Sequence, residues 1–219
     1  MPTLYPTRKL TIPFTMNYLI GWLSFMFGTY QSFFKSQPAV NPFTAFGVML
    51  LVHYTLQFKD ENPQLIAWGL WFSGLIVQLA QIVAGYQMEL TLPLGLMLTL
   101  TLATQIKEKD SMGMFILMSL LIVLPFEWQS VLVISALTMM GMHRKDSTRY
   151  YMFFFAGLMT IVAFSQTAGL SLMVLLGSAI LANWREEKTY EMPFLSFIVF
   201  QVMAHIYYFF FAYILLSVM

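Results

Sequence analysis

The sequence predicts an all-α fold, a polytopic membrane bundle of about nine transmembrane helices that forms one domain over residues 1–219. Two observations support this prediction. Of the 219 residues, 59% are hydrophobic and only 10% are charged, and the mean hydropathy is +0.72. The few charges also form short clusters that long charge-free stretches separate. An ordinary soluble domain is about one quarter charged, so we expect this chain to lie in lipid.

Each charge-free stretch is a candidate span, because a helix needs about 20 apolar residues to cross about 30 Å of hydrocarbon. The stretch 150–184 is too long for one helix and contains Ser165-Gln166-Thr167-Ala168-Gly169, which is typical of a turn, so we divide it. We interpret 111–143, which contains Pro125, as a hairpin of two helices. The predicted spans are 14–32, 42–57, 64–85, 91–106, 112–125, 128–142, 150–164, 169–184 and 193–216. The short spans within 91–142 would lie in thinned bilayer or have their ends covered by neighbouring helices.

The positions of lysine and arginine predict the orientation of these spans. With the N-terminus inside, ten of the 11 basic residues fall in inner segments and only Lys35 falls outside. If 111–143 were a single kinked helix, the basic residues would divide five against six. Cytoplasmic loops are enriched in lysine and arginine, so we predict nine spans in a bacterial-type inner (plasma) membrane, with the C-terminus outside. The first span is too long for a signal sequence, and we expect it to be retained.

Several kinds of chemistry are missing from the sequence. The chain has no cysteine and therefore no thiol catalysis, thiolate metal site or disulfide. Its net charge of +1 provides no basic field for nucleic acid. No phosphate-binding glycine loop, G-x-S-x-G or H-E-x-x-H motif is present. We predict no cofactor and no catalytic residues. The expected partners are the lipid bilayer and other membrane protein subunits.

A few polar side chains are predicted to lie within the spans. Carboxylates fall at the predicted turns, so His53 and His205 are the only ionisable side chains inside the membrane. Gln78, Gln81 and Gln201 also lie within spans. Amide and imidazole groups commonly hydrogen-bond between membrane helices, and we favour that interpretation for all five residues. The alternative is a polar face along which a solute passes.

Methionine is abundant, with 18 residues. Met139, Met142 and His143 lie together at the predicted inner end of the sixth span, and thioether and imidazole ligands suit Cu(I). Methionine is also a flexible apolar side chain that fills irregular gaps between helices. We favour packing and keep the Cu(I) site as the alternative.

One segment resembles a known family. Ile106-Lys107-Glu108-Lys109-Asp110 is followed, after an apolar helix, by Pro125-Phe126-Glu127-Trp128-Gln129-Ser130. This pattern is similar to the N-terminal membrane region of TgpA-type bacterial transglutaminase-like proteins and covers roughly 40 residues. The resemblance implies a membrane scaffold. The family's catalytic domain and its cysteine are missing here, so the resemblance implies no transglutaminase chemistry.

Three functional hypotheses remain. The first is a non-catalytic membrane scaffold or a subunit of a larger membrane assembly. The second is a facilitator or channel for a small neutral or apolar solute, with Gln78 and Gln81 on its path. The third is a membrane-embedded lipid-modifying enzyme with its site around Glu186, Glu187 and His205. We favour the first, because the sequence contains no catalytic constellation.

Overall fold

Most of the described residues lie in helices. The structure, a computed structural model, describes residues 10–34, 41–83, 89–108, 111–126, 128–167, 169–184 and 188–218. Within these ranges the elements are β1 (Thr11–Phe14), α1 (Met16–Phe34), α2 (Pro42–Gln57), α3 (Pro63–Val83), α4 (Leu92–Glu108), α5 (Ser111–Val123), α6 (Gln129–Met142), α7 (Thr148–Phe164), α8 (Leu170–Leu181), β2 (Tyr190–Pro193) and α9 (Phe194–Val218). The predicted all-α class is confirmed, and every helix boundary lies within three residues of its predicted position.

Both predicted divisions of long apolar stretches are found. The stretch 150–184 breaks after Phe164, and Gly169 adopts a left-handed conformation (φ 80°) immediately before α8. Glycine takes this conformation without steric cost. The segment 111–143 breaks between α5 and α6, where Trp128 also has a positive φ of 58°. The chain therefore reverses direction at both places.

A small antiparallel sheet was not predicted. β1 pairs with β2, with Thr11 opposite Pro193 and Phe14 opposite Tyr190. The first predicted span was therefore wrong at its start, because Phe14 belongs to a strand and the helix begins at Met16. The Tyr54 hydroxyl donates a hydrogen bond of 2.7 Å to the carbonyl oxygen of Pro13, which joins β1 to α2. The sheet escapes sequence analysis because its strands have only four residues each, too few to show an alternating pattern, and because they pair from opposite ends of the chain.

Two helices form the centre of the bundle. Most of α2 between Thr44 and Leu56 is buried, as is α6 from Val131 to Gly141. α2 packs against α1, α4, α6 and α8, and α6 also packs against α7. A helix with so little exposed surface needs apolar residues on every face, which explains why neither sequence shows a polar stripe.

α1 and α2 approach each other closely. A Cβ atom placed on Gly47 would lie 2.6 Å from the backbone nitrogen of Phe25 and 2.7 Å from the carbonyl oxygen of Gly21. Asn41 caps α2, since its side-chain oxygen accepts hydrogen bonds from the backbone of Phe43 and Thr44. The Asn41 side-chain amide also donates to the carbonyl oxygen of Gly28 in α1 at 2.9 Å. Glycine at the crossing and an amide bridge at the cap therefore hold the pair together.

α2, α4, α6 and α8 run in the same direction. Leu90 and Phe126, which precede α4 and α6, form a parallel bridge, and residues at the C-terminal ends of α2, α6 and α8 surround one cavity. We name the end with these four C-termini the basic end. Every lysine and arginine in the described ranges occupies it: Lys59, Lys107, Arg144, Lys145, Arg149 and Lys188.

The exterior of the described helices is strongly apolar. Exposed large side chains follow one another along α3 (Trp68, Phe72, Ile76, Leu79), α7 (Tyr151, Phe154, Leu158, Ile161) and α8 (Leu172, Met173, Leu176, Ile180). By length and composition, however, only α3 among the described helices is long and apolar enough to cross a membrane, and the shorter apolar segments have 10–17 residues. Nine membrane crossings therefore remain a proposal.

Candidate functional site

A cavity of about 570 Å³ opens at the basic end, where α2, α6 and α8 finish. Its wall from α2 includes His53 and Gln57. The turn that follows adds Lys59, Asp60 and Glu61. The remaining wall consists of Met139 and His143 from α6 and its C-cap, together with Ala182 and Trp184 from the end of α8. The lining is thus rich in hydrogen-bonding groups, in contrast with the apolar exterior.

The shape of the cavity follows from how the three helices end. The turn after α2 ends at Asn62, which has a positive φ of 57°, and Pro63 then starts α3. A proline at the first position of a helix lacks only an N–H that would have no partner within the helix. This reversal keeps Lys59, Asp60 and Glu61 beside the end of α2. α6 and α8 end at the same level, so three helix C-termini surround the space.

His53 joins two of the walls. It is buried, and its Nε2 atom lies 2.7 Å from the carbonyl oxygen of Trp184. The bond crosses from the last turn of α2 to the residues that follow α8. His53 therefore positions Trp184 at the cavity.

The predicted Cu(I) ligands separate into two groups. Met139 and His143 are four residues apart, share one side of α6 and both line the cavity. Met142 is not part of the lining, and its side chain is 41% exposed. No group of three histidine, aspartate or glutamate side chains in the described ranges could hold a metal ion. Cu(I) binding by this set stays an untested prediction.

Gln201 and His205 lie in a different interface, away from the cavity. The Ser73 hydroxyl in α3 donates a hydrogen bond of 2.6 Å to Oε1 of Gln201 in α9, and both residues are fully buried. His205 packs between aromatic rings of α1, with ring centroids 5.1 Å from both Trp22 and Phe25. These contacts join α9 to α3 and α1.

Gln78 and Gln81 lie on α3, next to the start of α4. The Gln78 side chain donates to the carbonyl oxygen of Glu89 and accepts from the backbone nitrogen of Thr91, both at 3.2 Å. Gln81 lies one turn further along α3 and is buried. Gln78 therefore satisfies backbone groups where the chain enters α4, which is a packing role.

Of the three residues proposed for a lipid-modifying site, the structure describes only His205. Glu186 and Glu187 lie outside the described residues. His205 lies 11 residues after Phe194, about 16 Å along α9, and it does not line the cavity. The structure thus places His205 with aromatic packing partners.

Sequence reasoning identified His53, Met139 and His143 but missed the acidic part of the lining. In the sequence, Asp60 and Glu61 are only two of the carboxylates that fall at predicted turns, and nothing distinguishes Gln57. The available signal was the Lys59-Asp60-Glu61 run, which follows His53 by about two helical turns. Nothing in that run shows that α6 and α8 end at the same place.

Comparisons of the chain with protein-family models, with curated proteins and with solved structures found no match. The resemblance to the membrane region of TgpA-type proteins therefore stays a prediction, and the function has to be argued from the site and the surface.

Proposed function

We propose that the chain is a multi-pass integral membrane protein that acts as a non-catalytic scaffold or subunit of a larger membrane assembly. One observation supports it above all: the described helices expose many large apolar side chains, bury no charged residue, and carry all their lysines and arginines at the basic end. A soluble protein would instead place charged and polar side chains on most of its exposed helix faces.

The apolar exterior is the first part of that observation. Among the described residues, 35 large apolar or aromatic side chains are exposed. The exposed faces of α3 and α7 carry no charged residue between Gln64 and Val83 or between Tyr150 and Phe164. Soluble monomers rarely expose continuous apolar patches larger than a few hundred Å². In lipid these exposed faces would carry no hydrophobic penalty, because acyl chains are as apolar as the side chains.

The absence of buried charges among the described residues is the second part. The buried residues include 18 polar ones, among them Ser73, Gln81, Gln201 and His205, while no buried residue in the described ranges is aspartate, glutamate, lysine or arginine. Some of these groups connect helices, as in the bonds from Ser73 to Gln201 and from Thr91 to the carbonyl oxygen of Gly74, whereas most threonine hydroxyls bond to a carbonyl of their own helix, as Thr55 does. Both kinds of bond are expected where water cannot compete.

The aromatic residues at the basic end agree with a membrane boundary. Trp68, Tyr150, Tyr151, Trp184 and Tyr190 are exposed there, and tyrosine and tryptophan are enriched where hydrocarbon meets headgroups. The positive-inside rule then assigns the basic end to the cytoplasm. α5 and α8, with 13 and 12 residues, would lie in thinned bilayer or behind neighbouring helices.

The topology can be tested by labelling, because the chain has no native cysteine. Asp146→Cys and Lys188→Cys place a thiol at the basic end, and Gln166→Cys places one at the opposite end of α7; all three positions are exposed. In inverted membrane vesicles, a membrane-impermeant maleimide should label the first two and spare the third. In whole cells whose outer membrane alone has been permeabilised, the reagent should label Gln166→Cys and spare Asp146→Cys and Lys188→Cys. Labelling of all three from one side would contradict the proposed crossings.

The scaffold role is distinguished from its alternatives by reconstitution. Gln78 and Gln201 make packing hydrogen bonds, which supports a structural use of the predicted solute face. We expect partner membrane proteins to co-purify with the chain from native membrane. We expect no solute flux above empty liposomes when the chain is reconstituted alone. Flux above that control would favour the facilitator. Loss of native function in a Glu186/Glu187/His205 triple alanine variant that keeps its partners would favour the enzyme.

A further inference from the structure

We propose that the protein thins the bilayer next to α5 and α8, so that the exposed faces of these two helices form a surface for the acyl chains of a thin bilayer. We call these two faces the short side. The inference rests on the proposed membrane location and goes beyond it, because the same chain could cross a bilayer of uniform thickness if other helices or a partner subunit covered α5 and α8.

The described helices differ widely in length. α1, α3 and α9 have 19, 21 and 25 residues, which corresponds to about 29–38 Å at the usual rise per residue. α5 and α8 have 13 and 12 residues, or only about 18–20 Å. Even if the whole uncharged stretch from Gly169 to Trp184 were helical, it would reach only about 24 Å. The hydrocarbon core of an average bilayer is about 30 Å thick, so α5 and α8 are too short to cross it.

The long and short helices lie on different sides of the bundle. α9 packs against α1 and α3, which groups the long helices together. α8 packs against α2, α6 and α7, and α5 packs against α4 and α6. In the part of the chain that the structure describes, neither short helix packs extensively against a long one. The difference in length is therefore a difference between two sides of the molecule.

Neighbouring helices do not cover α5 and α8. Phe115 and Val123, near the two ends of α5, are 64% and 75% exposed, and Met173 and Ile180 of α8 are 67% and 69% exposed. The surrounding medium therefore reaches both helices along most of their length. A bilayer can match such a short apolar face by becoming thinner beside it.

A bilayer of full thickness would meet polar groups on this side. The turn that connects α7 to α8 begins with Ser165 and Gln166, and both are exposed. At the other end of α8, the charged residues begin immediately after Trp184. Without thinning, one of these segments would lie in hydrocarbon, where the backbone groups of a turn have no hydrogen-bond partners.

The residue types on the short side favour lipid over a partner subunit. Contacts between membrane helices are enriched in small residues and in side chains that form hydrogen bonds. In α8 the two serines, Ser171 and Ser178, are buried inside the bundle, whereas the exposed large side chains are Leu172, Met173, Leu176 and Ile180. In α5 the exposed large side chains are likewise aliphatic or aromatic.

Nitroxide labels can measure the local thickness, because the chain has no native cysteine. Met173→Cys and Ile180→Cys place labels on α8, and Phe72→Cys and Leu79→Cys provide the matched pair on α3; all four positions are exposed. The two positions in each pair are seven residues apart, about 10 Å along the helix. In dioleoylphosphatidylcholine vesicles that contain the full chain, power saturation with oxygen and a nickel chelate gives the depth of each label below the headgroups.

The sum of the two depths reports how thick the hydrocarbon is beside each helix. We expect a sum of about 10 Å on α8 and about 20 Å on α3. Equal sums on the two helices, with all labels inside the hydrocarbon, would overturn the thinned side and leave the proposed membrane location intact. Labels that meet the nickel chelate as freely as in water would contradict the membrane location itself.

Photo-crosslinking in native membrane distinguishes lipid from a partner subunit. Benzoylphenylalanine replaces Phe115 in α5 and, in a second variant, Leu176 in α8; both side chains are exposed. After irradiation, mass spectrometry should find phospholipid attached at both positions. Attachment of another protein chain at these positions would overturn the assignment of the short side to lipid.

Discussion

Replacing Gly47 with alanine should destabilise the protein, because α1 and α2 touch at this glycine. The added Cβ would lie 2.6 Å from the Phe25 backbone nitrogen and 2.7 Å from the Gly21 carbonyl oxygen, whereas ordinary contacts start at 3.4 Å. These are backbone atoms and cannot rotate away as a side chain could. The two helices must therefore separate by roughly 0.8 Å, a gap that forfeits a quarter to a half of the dispersion energy of each contact along the interface.

The expected size of the effect combines two opposing terms. Overpacking of this kind costs about 1–3 kcal/mol, and the higher helix propensity of alanine offsets up to about 1 kcal/mol of it. From the middle of the overpacking range, about 2 kcal/mol, this offset leaves a net loss in free energy of unfolding of about 1–2 kcal/mol. For a chain of this length it corresponds to a fall of about 2–8 °C in melting temperature.

Gly157→Ala is the matched control, since a Cβ on Gly157 in α7 would meet no atom within 4 Å. Apparent melting temperatures of both variants in the same detergent, followed by size-exclusion chromatography after heating, provide the comparison. Gly157→Ala should leave the melting temperature unchanged or raise it. If Gly47→Ala behaves in the same way as Gly157→Ala, the close crossing of α1 and α2 is refuted.

Three further substitutions address hydrogen bonds between elements. Ser73→Ala removes the donor of the 2.6 Å bond to Gln201; we expect a loss of about 1 kcal/mol in a detergent unfolding assay. Asn41→Ala removes the cap of α2 and its link to α1, and should cost about 1–2 kcal/mol in the same assay. Tyr54→Phe removes the donor to the Pro13 carbonyl; hydrogen exchange should show faster exchange of the β1 amides, with a loss of about 1 kcal/mol.

Each substitution has a control with the same chemistry at an exposed position. Ser196→Ala, Asn183→Ala and Tyr151→Phe change residues on the surface, and each should shift stability by less than about 0.5 kcal/mol. If an interior substitution lowers the free energy of unfolding no more than its surface control does, the hydrogen bond that it removes does not contribute to stability. For Tyr54→Phe, unchanged hydrogen exchange of the β1 amides would show that the Tyr54 hydroxyl does not hold β1 on α2.

The candidate site shows where prediction from sequence stops. His53 was recognised because it is an ionisable residue in an apolar stretch, and Met139 with His143 because they stand close together in the chain. Asp60 and Glu61 looked like an ordinary solvated turn. They gain significance only because α6 and α8, more than 70 residues further along, end beside them. The proposed membrane crossings also came from the sequence, and labelling remains their test.

For the part of the chain that the structure describes, the sequence alone determined the number of helices and nearly all their boundaries, because both depend on local features: a charge cluster, Pro63 or Pro125 at a reversal, or Gly169 in a left-handed turn. Hydrogen bonds within a helix join residues four apart, so nearby residues decide where it starts and stops. Only the tertiary structure decided which helices touch. The pairing of β1 with β2, the burial of α2 and the shared cavity depend on contacts between distant residues, and those contacts follow from how closely surfaces fit, as at Gly47.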